Sequence, residues 1–158
     1  MVSVNCLESL ELQDTVASCI DDVTSWTQFN RLKLDISKSQ ILLSATGRRS
    51  HQQPQLPFRV GTDEVTPAAV VLDLRIYIDS DVSMRSHVTK TVSICLAVLH
   101  QLRNIRRSVA RSVFQSLVSL LILSRLDYGN ATLAGIPLYQ LKCLQSVMNS
   151  AAPLVSHR

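Results

Sequence analysis

Glycine is scarce in this chain: only four occur in 158 residues. That leaves no P-loop, no Gly-rich dinucleotide turn and no nucleophile elbow. Aromatic residues make up 4% and charged residues 18%, both low for a free-standing soluble enzyme. No Cys-x-x-Cys occurs among Cys6, Cys19, Cys95 and Cys143, and no His sits at zinc-finger spacing, so no metal site is expected. Cys19, Cys95 and Cys143 each fall on an apolar helical stripe and are expected to be reduced core residues. Long hydrophobic runs are also missing. The longest, Val113 to Leu126, is broken by Gln115, Ser116, Ser119, Ser124 and Arg125. A bilayer span takes about 20 residues, so no membrane partner is expected. No basic region precedes an apolar run at the N-terminus, so no secretory signal is expected. Bases are absent from residues 1–30, which hold five acids: Glu8, Glu11, Asp14, Asp21 and Asp22. Residues 31–158 hold all sixteen Lys and Arg against seven acids. Such asymmetry hints at a polyanion partner, although a solvated surface is the simpler account of charge alone.

What is present suits about one domain, with 46% apolar residues to supply a core. Residues 8–30 predict a helix, because Leu12, Val16, Cys19, Ile20, Val23 and Trp26 recur at three- and four-residue steps. Asn30 is its expected stop. Leu32 to Asp35 and Ser39 to Ser44 alternate and predict short strands. Gly47 to Pro57 is a loop by composition. Phe58 to Val65 predicts a hairpin turning at Gly61. Val70 to Ile78 is β-branched and predicts a buried strand. Three helices follow. The first carries Val88, Val92, Cys95, Leu99 and Leu102, with Lys90 off the stripe. Ser108 is the expected N-cap of the second, which carries Val109, Val113, Phe114, Leu117, Leu120 and Leu121. The third, Tyr139 to Val155, carries Leu141, Leu144, Val147, Met148 and Ala151, after a loop at Gly129 to Pro137. The expected fold class is α+β: a helix, a small antiparallel strand block, then a three-helix region.

No constellation converges on catalysis. Cys19-Ile20-Asp21-Asp22 imitates the paired aspartates that hold two metal ions in polymerases, but it falls inside a helical pattern rather than at a turn between strands. Asp79 and Asp81 flank Ser80 at a strand-to-helix transition, where capping is the expected role. His51, His87, His100 and His157 have no partner at ligand spacing and are expected to be structural or solvated. The best binding candidate is Arg103, Arg106, Arg107 and Arg111. Three of these recur at four-residue steps and would suit phosphate contacts from a helical end. The same four would serve equally as a charged corner between helices.

Three blocks together resemble the post-catalytic part of LINE-type (non-LTR) retrotransposon reverse transcriptases. The first is Asp22-Val23-Thr24-Ser25-Trp26 with Asn30-Arg31-Leu32-Lys33-Leu34-Asp35-Ile36-Ser37-Lys38-Ser39. It is similar to the family's W-x-x-x-N-x-L-K-L-N and the corner that follows. The second is Leu74 to Val88, similar to L-G-V-x-I-D and a helix start. The third is Ser124-Arg125-Leu126-Asp127-Tyr128-Gly129-Asn130, Gly135-Ile136-Pro137 and Leu144 to Ala152. It is similar to S-R-L-D-Y-C-N, G-L-P and L-Q-x-x-x-N-x-A-A-R. The match runs from about Leu12 to the C-terminus.

The resemblance implies that residues 1–79 are the remnant of a polymerase palm and residues 80–158 a helical thumb. Residues 70–79 would correspond to the primer-grip hairpin region. It places Lys33 and Lys38 near nucleotide and template. A thumb of this kind grips the backbone of an RNA–DNA or DNA duplex, which fits Arg103, Arg106, Arg107 and Arg111. The parent enzyme would be an RNA-directed DNA polymerase using Mg²⁺, intracellular, nuclear or cytoplasmic. Its catalytic aspartates would belong to a missing upstream polymerase segment. This chain alone is then expected to be inactive, with no catalytic residue, no cofactor and no small-molecule substrate of its own. The family's Gly is Arg75 here, its Cys is Gly129, and the Arg after the Ala pair is Pro153, a residue expected to end or kink the last helix. These departures look like drift. The rival reading is a small helical protein–protein interaction module.

Overall fold

The computed structural model describes residues 6–33, 35, 38–44, 57–60 and 63–156. The chain separates into two compact units, residues 1–71 with 80–82 and residues 72–79 with 83–158. The fold is α+β, with helices and two small antiparallel strand pairs.

In the first unit, α1 spans Cys6–Phe29. It stops where expected. The Asn30 amide N–H donates to the Trp26 carbonyl at 3.1 Å, Arg31 turns left-handed at φ 57°, and Leu32 N–H reaches back to the Thr27 carbonyl at 2.8 Å. That backward bond is the Schellman arrangement, which satisfies carbonyls a helix end leaves unpaired. β1 (Phe58–Val60) and β2 (Asp63–Val65) pair antiparallel, with Phe58 opposite Val65 and Val60 opposite Asp63. Alternation buries Phe58 and Val60 and exposes Arg59, whose guanidinium meets Asp21 of α1 at 3.4 Å. The hairpin expectation is met; its turn at Gly61, the bulk of the 47–57 loop, His51 and His157 lie outside the described residues.

The strands expected at 32–35 and 39–44 are not formed by the described residues there. Asp35, Lys38 and Ser39 are instead held together. Lys38 N–H and the Ser39 hydroxyl both donate to the Asp35 carbonyl at 3.1 Å, and Lys38 pairs with the Asp35 carboxylate. Alternation alone does not make a strand; that takes a continuous ladder to a neighbouring edge. Ala68 N–H donates to the Ile41 carbonyl at 2.8 Å, which ties this stretch to the chain just before β3.

The expected strand at 70–78 is two strands, β3 (Val70–Asp73) and β4 (Ile76–Asp79), of which residues 72–79 belong to the second unit. Leu74 and Arg75 turn between them at φ 44° and 68°. Two positive φ values define the tight hairpin turn that suits strand twist, and Asn-Gly is its usual occupant. α2 then runs Arg85–Ile105 and buries His87, Val88, Thr91, Cys95, Leu99 and Leu102, nearly the predicted stripe. Its first turn holds no acid, and Asp79 supplies the cap from β4. The Asp79 carboxylate accepts Ser86 N–H at 3.1 Å and the Ser83 hydroxyl at 3.4 Å.

α3 spans Arg111–Val118, with Ala110 rather than Ser108 before it. Ser108 N–H is spent on the Ile105 carbonyl at 2.9 Å, which closes the α2 end instead of opening α3. The chain continues through a π turn, Ser119–Leu123, into α4, Ser124–Asp127. Phe114 is buried and Val109 and Leu117 are half-buried against the core, as expected, whereas Val113, Leu120 and Leu121 of the predicted stripe are exposed and Val118 and Ile122 are buried instead. Residues at steps of four drift by about 40° per step around an α-helix. The wider π turn cancels that drift and keeps Ile122 and Leu126 on the core side.

A 3₁₀ turn at Asn130–Leu133 leads to α5, Leu138–Ser156. α5 buries Gln140, Val147, Ala151 and Leu154 and leaves Leu141 and Met148 exposed. Pro153 does not end it; the helix continues three residues further. The core is one cluster: Cys95, Leu99 and Leu102 of α2, Phe114, Val118 and Ile122, and Val147, Ala151 and Leu154 of α5. Of the predicted core thiols Cys95 is buried, whereas Cys19 and Cys143 are exposed, because their helices turn those positions outward. No described helix is long and apolar enough to cross a membrane.

Candidate nucleic-acid interface

Arg103, Arg106, Arg107 and Arg111 meet at the corner between α2 and α3. Arg103 closes the last turn of α2, Arg106 and Arg107 lie in the connecting turn, and Arg111 opens α3. The helix does not run on from 103 to 111, so the four-residue alignment is replaced by a cluster around a bend. Arg103, Arg107 and Arg111 are exposed and Arg106 is half-buried. Among the described residues no carboxylate lies within 4.0 Å of Arg103, Arg107 or Arg111. The first turn of α3 carries no acid and leaves its amide N–H groups toward the same corner, a setting that favours an anion.

Lys33 and Lys38 belong to the first unit, after α1. Both are exposed, and Lys38 is held by Asp35 at 3.1 Å. The aspartate pair at 21–22 lies on α1, with both residues exposed and Asp21 engaged by Arg59. Among the described residues no three His, Cys, Asp or Glu side chains come together as a metal site.

A second basic locus, which sequence reasoning missed, is a cleft of about 610 Å³ within the second unit. Its wall includes Arg75 from the β3–β4 turn, Tyr77 from β4, His87 and Lys90 from α2, and Arg125 and Tyr128 from the α4 region. The Lys90 ammonium stands 3.7 Å from the centre of the Tyr77 ring, a cation–π contact. The Tyr128 hydroxyl donates to the Leu74 carbonyl at 2.5 Å, tying α4 to the hairpin turn. The Tyr77 N–H donates to His87 Nδ1 at 3.5 Å. Burial lowers the His87 pKa below its ordinary value, so the ring stays neutral and Nδ1 stays an acceptor. Behind this wall, burial pushes the Cys95 thiol up, with Arg125 partly opposing. Cys95 is therefore an inert core thiol.

These residues were legible only jointly. Lys90 stood out as the polar face of a helix, and Arg75 as a departure from a glycine. Recognising Leu74-Arg75 as a turn would have brought Arg75 back over α2. Gly129, by contrast, sits at φ 74°, and a Cβ there would lie 3.0 Å from Ile76 Cδ1, so glycine suits its place against the hairpin. Comparison of the chain with protein-family models, with curated proteins and with solved structures finds no match in any of the three.

Proposed function

We propose that this chain is a fragment of a retrotransposon RNA-directed DNA polymerase of the LINE type, keeping a backbone-gripping surface and no polymerase chemistry. The observation that carries this reading is the arginine corner. Arg103, Arg107 and Arg111 are exposed and have no carboxylate partner among the described residues, at the head of a helix without acids. Such a surface contacts phosphates and ignores sequence. The order of elements supports the same reading: a helix, small strand pairs, a hairpin at 70–79 and a helical region. In the parent enzyme Mg²⁺ would be held by aspartates of the upstream segment. Asp21 and Asp22 lie on a helix face and are unsuited to that role.

The test is binding of a labelled RNA–DNA hybrid across a salt series, with folding checked by circular dichroism. Binding is expected to weaken as salt rises, with a slope of about 0.9 per phosphate contacted. Replacing Arg103, Arg106, Arg107 and Arg111 by Ala should flatten that slope. A folded chain that does not bind at low salt ends the proposal. A second reading, a helical interaction module, draws on the exposed Leu138, Leu141 and Met148 of α5. It predicts salt-insensitive capture of an apolar partner instead.

A further inference from the structure

We propose that the cleft walled by Arg75, Tyr77, Lys90, Arg125 and Tyr128 binds the phosphate and ring of a nucleotide. The proposal does not rest on the polymerase reading; it concerns a different locus from the arginine corner and follows from geometry within one compact unit.

Three cations, Arg75, Lys90 and Arg125, line one cleft, and among the described residues none has a carboxylate within 4.0 Å. Among the described residues, the wall of the cleft carries no Asp or Glu. Like charges gathered without a counter-charge repel one another and raise a positive potential that attracts an anion. The neutral His87 and the hydroxyls of Thr91 and Ser124 add polar groups without adding negative charge.

The anion is expected to carry a flat ring. Tyr128 is 47% exposed, and its hydroxyl is anchored on the Leu74 carbonyl, so its ring is presented with little freedom left to lose. Lys90 already covers the Tyr77 ring, which holds the ammonium in place at the cleft wall. A volume of about 610 Å³ falls in the range of small-molecule sites, enough for one nucleotide and its hydration. Bases stack on aromatic side chains regardless of sequence.

Arg75 sharpens the argument. It is held at φ 68°, where a side chain is strained and glycine is not. A strained non-glycine residue whose side chain reaches a charged cleft is the pattern expected when the side chain is used. Of the five described non-glycine residues with positive φ, Arg75 is the one that lines this cleft.

The ligand chemistry, a phosphorylated nucleoside, could come from a free nucleotide or from a nucleotide at the end of a chain. Calorimetric titration of the full chain with adenosine 5′-monophosphate, inorganic phosphate, adenosine and a 5′-phosphorylated tetrathymidylate separates the two. The monophosphate is expected to bind at least about tenfold tighter than phosphate or adenosine alone. Arg75→Gly and Lys90→Met should each weaken it about tenfold, the loss of one charged hydrogen bond. Lys142→Met, an exposed charge on α5 away from the cleft, should leave it unchanged. Arg75→Gly should at the same time melt about 2 °C higher. That rise shows that its binding defect is not misfolding. Competition by the tetranucleotide assigns the site to a chain end, and its failure to compete assigns it to a free nucleotide. The proposal is overturned if the monophosphate binds no tighter than phosphate, if nothing binds, or if both variants bind like the parent.

Discussion

The two units use similar raw material to different effect. In the second, nine side chains from α2, α3, the π turn and α5 close into one core, with Cys95, Ile122 and Val147 at 0% exposure. In the first, Phe58 and Val60 are the buried apolar side chains among the described residues, while Trp26 is 61% and Phe29 88% exposed. Helices at short sequence separation can each turn a stripe inward at once. One helix with a pair of three-residue strands cannot, because a two-stranded hairpin is marginal alone. An apolar fraction of 46% therefore says how much core is available and not where it forms.

That contrast gives predictions that fall in size. Leu99→Ala or Ile122→Ala should destabilise the second unit by about 2–5 kcal/mol in chemical denaturation, since the cavity left in a closed core relaxes poorly. Trp26→Ala should change stability by no more than about 0.5 kcal/mol. If Trp26→Ala costs as much as Leu99→Ala, the first unit has a core of its own and the comparison fails.

Next is the link between hairpin and helix. Asp79→Ala removes the acceptor of Ser86 N–H and of the Ser83 hydroxyl, and should cost about 1 kcal/mol, the usual worth of a helix cap. Thermal melts followed at the helical signal would show it.

Acid should act through His87. Its folded pKa is lowered by burial, so the unfolded chain binds the proton more readily. Stability from this group is complete above the ordinary imidazole pKa near 6.5. It is lost as the pH falls through the folded value. Denaturant midpoints should drop between neutral and mildly acid pH. In His87→Asn, whose Oδ1 takes the place of Nδ1 as acceptor, that drop should shrink. An unchanged pH profile would mean that His87 does not titrate with folding.

How much of this was legible follows from period and distance. α1, α2 and α5 were visible because their apolar residues repeat along one element. The first hairpin was visible because Gly61 separates two alternating pairs. For the second, residue pattern predicts one strand, since Leu74-Arg75 carries no turn residue and Val70 to Ile78 is β-branched and apolar apart from Asp73 and Arg75; only the family resemblance implies a hairpin at 70–79. Only half of the α3 face is legible: Val109, Phe114 and Leu117 turn to the core, and Val113, Leu120 and Leu121 do not. Val113 and Phe114 are both apolar, and packing against α5, which period alone does not report, decides which of them is inside. Of the candidate site, the arginine corner was readable as a local cluster. The cleft was not, because Arg75, Lys90 and Arg125 are far apart in the chain and meet only through the hairpin turn.

The π turn at Ser119–Leu123 has a consequence of another kind. A π turn is a helix carrying one residue more than its length needs, looped outward while both flanks keep their phase. Deleting Leu120, which is 67% exposed, would leave an ordinary α-helix with Phe114, Val118 and Ile122 still on one side. The same deletion in the middle of α2 would rotate everything beyond it by about 100° and turn Leu99 and Leu102 out of the core. The segment from α3 to α4 is thus a helical stretch of this unit where chain length can change by a residue without rewriting the contacts on either side.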